Sequence, residues 1–295
     1  MLSSADTDLV QQVLHSKGYV IDGGNFPISR PDRATMALVT RTGIPVVAKL
    51  YPSGGEIAYA NMQELWCSSF GERRRPPGLP RPLDYLPDVG VLIMERIEGR
   101  PLVEIGTLDV NILDEAVHLV ASLHSCDAQP TKRRDSRRII RSVRRKAERI
   151  AELAPKFAGS IWAVVEALEE AQVEDLELLP CHGDFSPRNI LVAPNRLVLI
   201  DWDRLQRADP TRDIAYIGTW CWVWALRQGR PPDWFVLDRV VGTYNSLRPE
   251  ALIEARLRFH IAAGLVRIAH SLVELWREDA YLVPQLATEA LYQLR

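Results

Sequence analysis

Asp184 inside Cys181-His182-Gly183-Asp184, Asn189 five residues later, and the apolar run Arg196–Ile200 ending in Asp201-Trp202-Asp203 are the residues of this chain whose types and spacing could do chemistry. That chemistry is phosphoryl transfer. Little covalent work falls to a protein in this reaction: one carboxylate orients an acceptor hydroxyl, while hard oxygen donors hold Mg²⁺ across nucleotide phosphates. On that template Asp184 is the candidate base, and Asn189 and Asp201 are the candidate metal ligands. Asn189–Val192 and Arg196–Ile200 read as two apolar strands around a turn at Ala193-Pro194-Asn195, a hairpin that would return Asp201 beside Asn189. The plainer reading has Asp184 capping a turn and Asp201 ending a strand. It does not account for both motifs standing in their proper context.

These residues resemble a known family, the aminoglycoside phosphotransferase and choline kinase-like small-molecule kinases. Its signature is His-Gly-Asp, four variable residues, Asn, then Ile-Asp-Phe/Trp-Asp/Glu, and it stands complete at His182–Asn189 and Ile200–Asp203. Protein kinases usually carry Arg at the place of Gly183 and Asp-Phe-Gly at the place of Asp201–Asp203. The departure favours a small-molecule acceptor. The resemblance runs from about Val46 to about Tyr216 and is specific only at the two central motifs. It implies an α+β, two-lobed, protein-kinase-like fold, with a small β-rich nucleotide-binding N-lobe over 1–97. A larger, mostly helical C-lobe over 98–295 would carry the catalytic loop, the metal site and the acceptor. It also implies ATP and Mg²⁺ as cofactors and a small-molecule hydroxyl as acceptor.

The elements that must position these groups follow from periodicity. Ile44–Tyr51 is apolar and β-branched after a glycine-containing turn, so it predicts a strand with Lys49 near its end. Such a lysine is either a solvated edge charge or, by analogy with the kinase lysine, a grip on the nucleotide phosphates. The order of motifs favours the grip. Glu56–Phe70 reads as a helix following Gly54-Gly55. The glutamate expected to pair with Lys49 falls near Ala60, and Glu56 and Glu64 lie one turn to either side on the same face. Glu56 is the preferred candidate. Between presumed strands Tyr19–Asp22 and Ala34–Thr40, the segment 23–33 lacks a Gly-x-Gly-x-x-Gly pattern; backbone amides, Ser29 or Arg30 would cap phosphates. No Walker-type motif is present in the sequence. Val89–Ile97 reads as a strand broken by Gly99. In the resembling family the chain at this point hydrogen-bonds adenine through its backbone, which makes Glu95 to Ile97 the hinge candidates.

Asn111–Ser125 predicts a helix with one apolar stripe, flanked by His118 and His124 as packing or surface residues. His182 is read as orienting the loop. Asp209 or Asp213 would cap the helix that follows, and in the resembling kinases the Asp213 position also buttresses the catalytic-loop backbone. Asp203 would assist a metal, touch the acceptor, or make a local hydrogen bond. Trp220, Trp222, Trp224 and Trp234 are read mainly as core.

The 295 residues, with 47% apolar and 25% charged content and a formal net charge of −2, describe a globular chain with no overall bias toward nucleic acid or anionic membranes. Lys132–Arg149 is a local exception, rich in Lys and Arg. Ile139, Ile140, Val143, Ala147 and Ile150 recur there at helical spacing, so a core helix with a cationic solvent face suffices without nucleic acid. The polar, acidic start lacks a basic n-region and an apolar h-region, so no secretion signal is expected, and Ile214–Leu226 is too short to span a bilayer. Cys67, Cys126, Cys181 and Cys221 lack metal-ligand spacing, which suits a reducing, cytoplasmic setting. A polycationic acceptor would need converging carboxylates, and Glu274, Glu278, Asp279 and Glu289 alternate with Arg267, Arg277 and Arg295. The acceptor stays open. A nucleotide-binding regulatory module and a protein-directed kinase are the alternatives.

Overall fold

The computed structural model describes residues 4–22, 28–30, 33–72, 77–105, 109–174 and 177–295. Two compact units emerge: Met1–Arg100 with Leu191–Asp203, and Pro101–Ile190 with Arg204–Arg295. In the first, helix α1 (Ser4–Ser16) precedes strands β1 (Tyr19–Ile21), β2 (Ile28–Arg30), β3 (Arg33–Thr40) and β4 (Pro45–Leu50). Helices α2 (Gly55–Cys67) and α3 (Ser69–Glu72) lead to β5 (Pro82–Leu86) and β6 (Val91–Glu95), and a two-residue strand, β7 (Arg100–Pro101), follows. The strands pair antiparallel in the order β1-β3-β4-β6-β5, with β2 also on β3. Alternation along β4 sends Val46, Ala48 and Leu50 into a core with Met36, Leu38, Val91, Ile93 and, from α1, Val10 and Leu14. Lys49 therefore projects from the other face.

The helix expected over Glu56–Phe70 stops at Cys67. Ser68 turns extended, and both its amide and its hydroxyl donate to the Leu65 carbonyl, which takes the place of the next helical turn. Segment 23–33, expected to cover phosphates, lies largely outside the described residues, and nothing is described of the side chains of Ser29 and Arg30.

The second unit is mostly helical. Helix α4 (Val110–His124) is capped by Asp109, whose side chain accepts from the Asn111 amide at 2.8 Å. The basic stretch expected to be helical from Lys132 begins instead as a strand, β8 (Arg133–Arg134), and Asp135 starts helix α5 (Ser136–Leu153) by accepting from the Arg138 amide at 2.7 Å. Helix α6 (Ala158–Glu170) and strand β9 (Leu179–Cys181) follow. Strands β10 (Ile190–Ala193) and β11 (Arg196–Leu199) form the expected hairpin. Strand β12 (Gln206–Ala208) then pairs antiparallel with β9 and parallel with β8. Helices α7 (Thr211–Arg227), α8 (Phe235–Leu247), α9 (Glu254–Glu274) and α10 (Val283–Gln293) complete the chain. Helix α9 is apolar nearly all round, with Phe259, Ile261, Leu265, Val266, Ile268 and Leu272 buried, as a central helix must be. Trp220 and Trp222 pack in that core, stacked on Trp224 at 5.0 Å and Trp234 at 5.6 Å. Among the described residues no helix is long and apolar enough to cross a membrane.

Candidate active site

Strand β9 delivers His182, Gly183 and Asp184, and the first turn of α7 holds that loop in place. The Asp213 carboxylate, fully buried, accepts from the His182 amide at 2.7 Å and the Gly183 amide at 2.8 Å. Burial alone would raise the Asp213 carboxyl, but the hydrogen bond and charge of His124 outweigh it, and the net direction is down. His124 is no surface residue: its Nε2 lies 3.3 Å from Asp213 and its Nδ1 2.8 Å from the Tyr244 hydroxyl. Asp209 accepts from the Thr211 amide and is bound by the Arg256 guanidinium, so the two aspartates divide capping and buttressing between them. His124, Cys181 and Asp213 bring three ligating atoms within 4.8 Å. Burial pushes the Cys181 thiol well up, and it donates to the Ala208 carbonyl at 3.4 Å, so this is an inert packed group.

Gly183 is a requirement of geometry. Its φ is +75°, and a Cβ there would sit 2.6 Å from the Arg204 carbonyl oxygen. Beyond it Asp184 is 3% exposed, its amide donating to His182 Nδ1 at 3.2 Å. Asn189 Nδ2 donates to the Asp184 carbonyl at 2.9 Å, which closes the loop from the other side and turns Oδ1 away from that bond. Arg267 donates to Asp184 Oδ1 at 2.6 Å and to the Gly183 carbonyl at 2.7 Å. Arg188 approaches Oδ2 at 3.3 Å and Arg204 at 3.9 Å. Burial pushes the Asp184 carboxyl up, but these three guanidiniums override it and hold the group well below the ordinary carboxylate range. Asp184 is thus an immobilised, ionised acceptor of hydrogen bonds.

In the first unit Lys49 Nζ lies 2.6 Å from Asp201 Oδ1 and 2.9 Å from both carboxylate oxygens of Asp203. The Tyr51 hydroxyl donates to Asp203 Oδ1 at 2.5 Å. Asp201 sits in the left-handed region at φ +67°, a conformation Asp tolerates better than most residues. Trp202 anchors the turn through Nε1 to the Leu199 carbonyl and an edge contact with Phe70. The expected pairing of Lys49 with Glu56 is not what the structure holds. Glu56 is exposed in the first turn of α2, whereas Asp201 and Asp203 arrive on the hairpin directly at the lysine. Glu95 is tied by its side chain to Arg196 at 2.6 Å and to the Arg81 amide at 3.0 Å, and its own amide donates to the Arg81 carbonyl. Ile97, half-buried, lies in irregular chain after β6 ends.

Arg267 and Arg204 at Asp184, and Tyr51 at Asp203, are absent from the sequence expectations as site residues. Arg267 did leave a signal: it is the single charge inside the apolar run Phe259–Ala269 of a helix otherwise built for burial.

Residues 32–240, more than half of the chain, match the phosphotransferase enzyme family. The chain belongs to that family. A stretch of 44 residues is 46% identical to Protein LicA of Haemophilus influenzae, spanning 15% of this chain and 13% of that protein. Among solved structures, an aminoglycoside-3'-phosphotransferase of type VIII is 20% identical, with a TM-score of 0.62 over 87% of this chain and 97% of the other. A choline kinase from Cryptosporidium parvum is 12% identical, with a TM-score of 0.68 over 97% and 95%. A spectinomycin phosphotransferase, solved with ADP and spectinomycin, is 13% identical, with a TM-score of 0.65 over 97% and 98%. At these identities the likeness establishes the α+β, kinase-like fold.

Proposed function

We propose that this protein transfers the γ-phosphate of ATP to a hydroxyl of a small molecule with Mg²⁺, Asp184 receiving the hydroxyl and Lys49 holding phosphates. The observation that carries this reading is the Asp184 carboxylate, buried, ionised by three arginines and fixed by Asp213 through the neighbouring amides. A group so placed accepts a hydrogen bond from an alcohol and directs its oxygen, which is the larger part of what phosphoryl transfer asks of a protein. Its depressed basicity agrees with orientation first and proton acceptance late.

The donor set fits Mg²⁺. Asn189 commits its amide nitrogen to Asp184 and keeps Oδ1, and Asp201 offers a carboxylate that is one-third exposed, so the residues that would hold the ion present hard oxygens. When bound, the ion would neutralise charge developing on the phosphates. Lys49, now shared by Asp201 and Asp203, would supply the phosphate grip, and the backbone near Glu95 and Ile97 would receive the base. The relatives named as aminoglycoside phosphotransferases and choline kinases support a free metabolite or drug as acceptor rather than a protein side chain.

The test is ADP release from ATP and Mg²⁺ across a panel of hydroxylated small molecules. Asp184→Asn is expected to lower kcat for any accepted compound by at least about 10²-fold, the scale of losing a general base. Calorimetric nucleotide binding should persist in that variant. Near-normal turnover by Asp184→Asn rejects the assignment, and labelled phosphate appearing on peptides instead would replace the acceptor class.

A further inference from the structure

The second unit holds a cavity whose lining is out of balance in charge. Arg134, Lys146, Arg204, Arg212 and Arg267 all line it, and among the described residues no carboxylate does. The space measures about 80 Å³, room for several waters or for one tetrahedral or planar oxyanion. Strand β8 contributes Arg134, helix α5 Lys146, the first turn of α7 Arg212 and helix α9 Arg267, so four separate elements direct cations to one point. Arg204, whose side chain is 52% exposed, marks where the cavity meets solvent.

Among the described residues, Arg134 Nε donates to the neutral Gln206 Oε1 at 3.2 Å, and Lys146 Nζ to the neutral Ser142 hydroxyl at 3.0 Å. Arg212 Nε is buried with no hydrogen-bond partner among the described residues. A buried guanidinium nitrogen left so is costly and is rarely tolerated without a role. The electrostatics agree: burial and then Arg267, Arg204, Arg134 and Arg212 lower Lys146 to about 7, and burial with Arg267 and Arg134 lowers Arg212 to about 9. The lining repels itself. Arg267 also ties the cavity to the base, since the same guanidinium that lines it donates to Asp184 Oδ1 at 2.6 Å.

We propose that this cavity holds an oxyanion carried by the acceptor, a phosphate or a carboxylate, while the acceptor's hydroxyl meets Asp184. The inference rests on the phosphotransfer reading above and narrows it to anionic alcohols, such as sugar phosphates or hydroxy acids. A guanidinium and ammonium cluster is complementary to such a group and repels a polycationic aminoglycoside.

Two measurements test it. In ADP-release assays, matched acceptors are compared: neutral sugars and polyols, their monophosphates, their carboxylic acid counterparts, and their amino-substituted cations. Oxyanion-bearing members are expected to have kcat/KM higher by about 10- to 100-fold, the weight of a hydrogen bond to a charged partner. Lys146→Gln and Arg134→Gln, both at half-buried positions, should raise KM for those members by a similar factor with kcat little changed. Phosphates and carboxylates are scored as separate arms. Independently, inorganic phosphate titrated calorimetrically into the full chain should bind, and both variants should lose that binding while keeping the far-UV circular dichroism of the parent. Equal turnover of neutral or cationic acceptors, or no phosphate binding to the parent chain, overturns the oxyanion site. Absence of ATP binding and of any turnover would instead strike the phosphotransfer reading, with the phosphate titration still deciding whether the cavity takes an anion.

Discussion

Asp184, buried, and Lys146, half-buried, are ionisable groups with opposite fates. Asp184 keeps its charge because three guanidiniums face it, whereas Lys146 faces Arg134, Arg204, Arg212 and Arg267, with His270 and Glu274 further along α9, and among the described residues no carboxylate shares its cavity. Its affinity for a proton falls from 10.5 in the unfolded chain to about 7 in the fold. Below about pH 7 the lysine is charged in both states and opposes folding in full; as pH rises toward 10.5 the folded state has released the proton and the opposition fades. Lys146→Met keeps the volume and removes the charge. It is therefore expected to raise Tm, and by more at about pH 6 than at about pH 9.5. A Tm difference independent of pH, followed by thermal unfolding in the two buffers, would contradict the cationic surroundings described for this lysine.

Elements decide which residues meet, and there the sequence was informative unevenly. The β4 strand and the hairpin at 190–199 were legible because alternation and a Pro-Asn turn are local signals. Asp184, Asn189 and Asp201 stand out in the sequence because phosphoryl transfer dictates residue type as well as spacing, and their roles as base and metal ligands belong to the proposed function. Helix ends were not: the Ser68 hydroxyl and the Asp135 carboxylate moved two boundaries through single side-chain hydrogen bonds. The sequence points Lys49 to two nearby helical glutamates, each about one turn from Ala60, whereas the carboxylates it meets lie about 150 positions later. Arg134 and Lys146 were hidden among solvated neighbours; Arg137, Arg141, Arg144 and Arg145 do face water as expected. The loop between β9 and the Pro187–Asn189 turn carries its own test. Gly183→Ala meets the Arg204 carbonyl and an unfavourable φ. Displacing Asp184 by a fraction of an ångström should cost about 10²-fold in kcat, while calorimetric ATP binding stays near that of the parent.

At the scale of the molecule, neither unit is a continuous piece of chain. Residues 191–203 belong with Met1–Arg100, and they bring the buried Leu197, Val198 and Leu199, the Arg196 clamp on Glu95, and both carboxylates that neutralise Lys49. A fragment ending at Arg100 leaves that lysine, only 13% exposed, without its anions. It is expected to be unfolded by circular dichroism and rapidly proteolysed, and the same fragment joined to 191–203 through a flexible linker should regain protection. Equal protease resistance of the two fragments would show that the returning hairpin contributes nothing. The positive enclosure beside Arg267 has a consequence for engineering: its charges come from β8, α5, α7 and α9 at once. No single substitution reverses its sign, so exchanging acceptor preference in the laboratory calls for libraries that vary those four segments together.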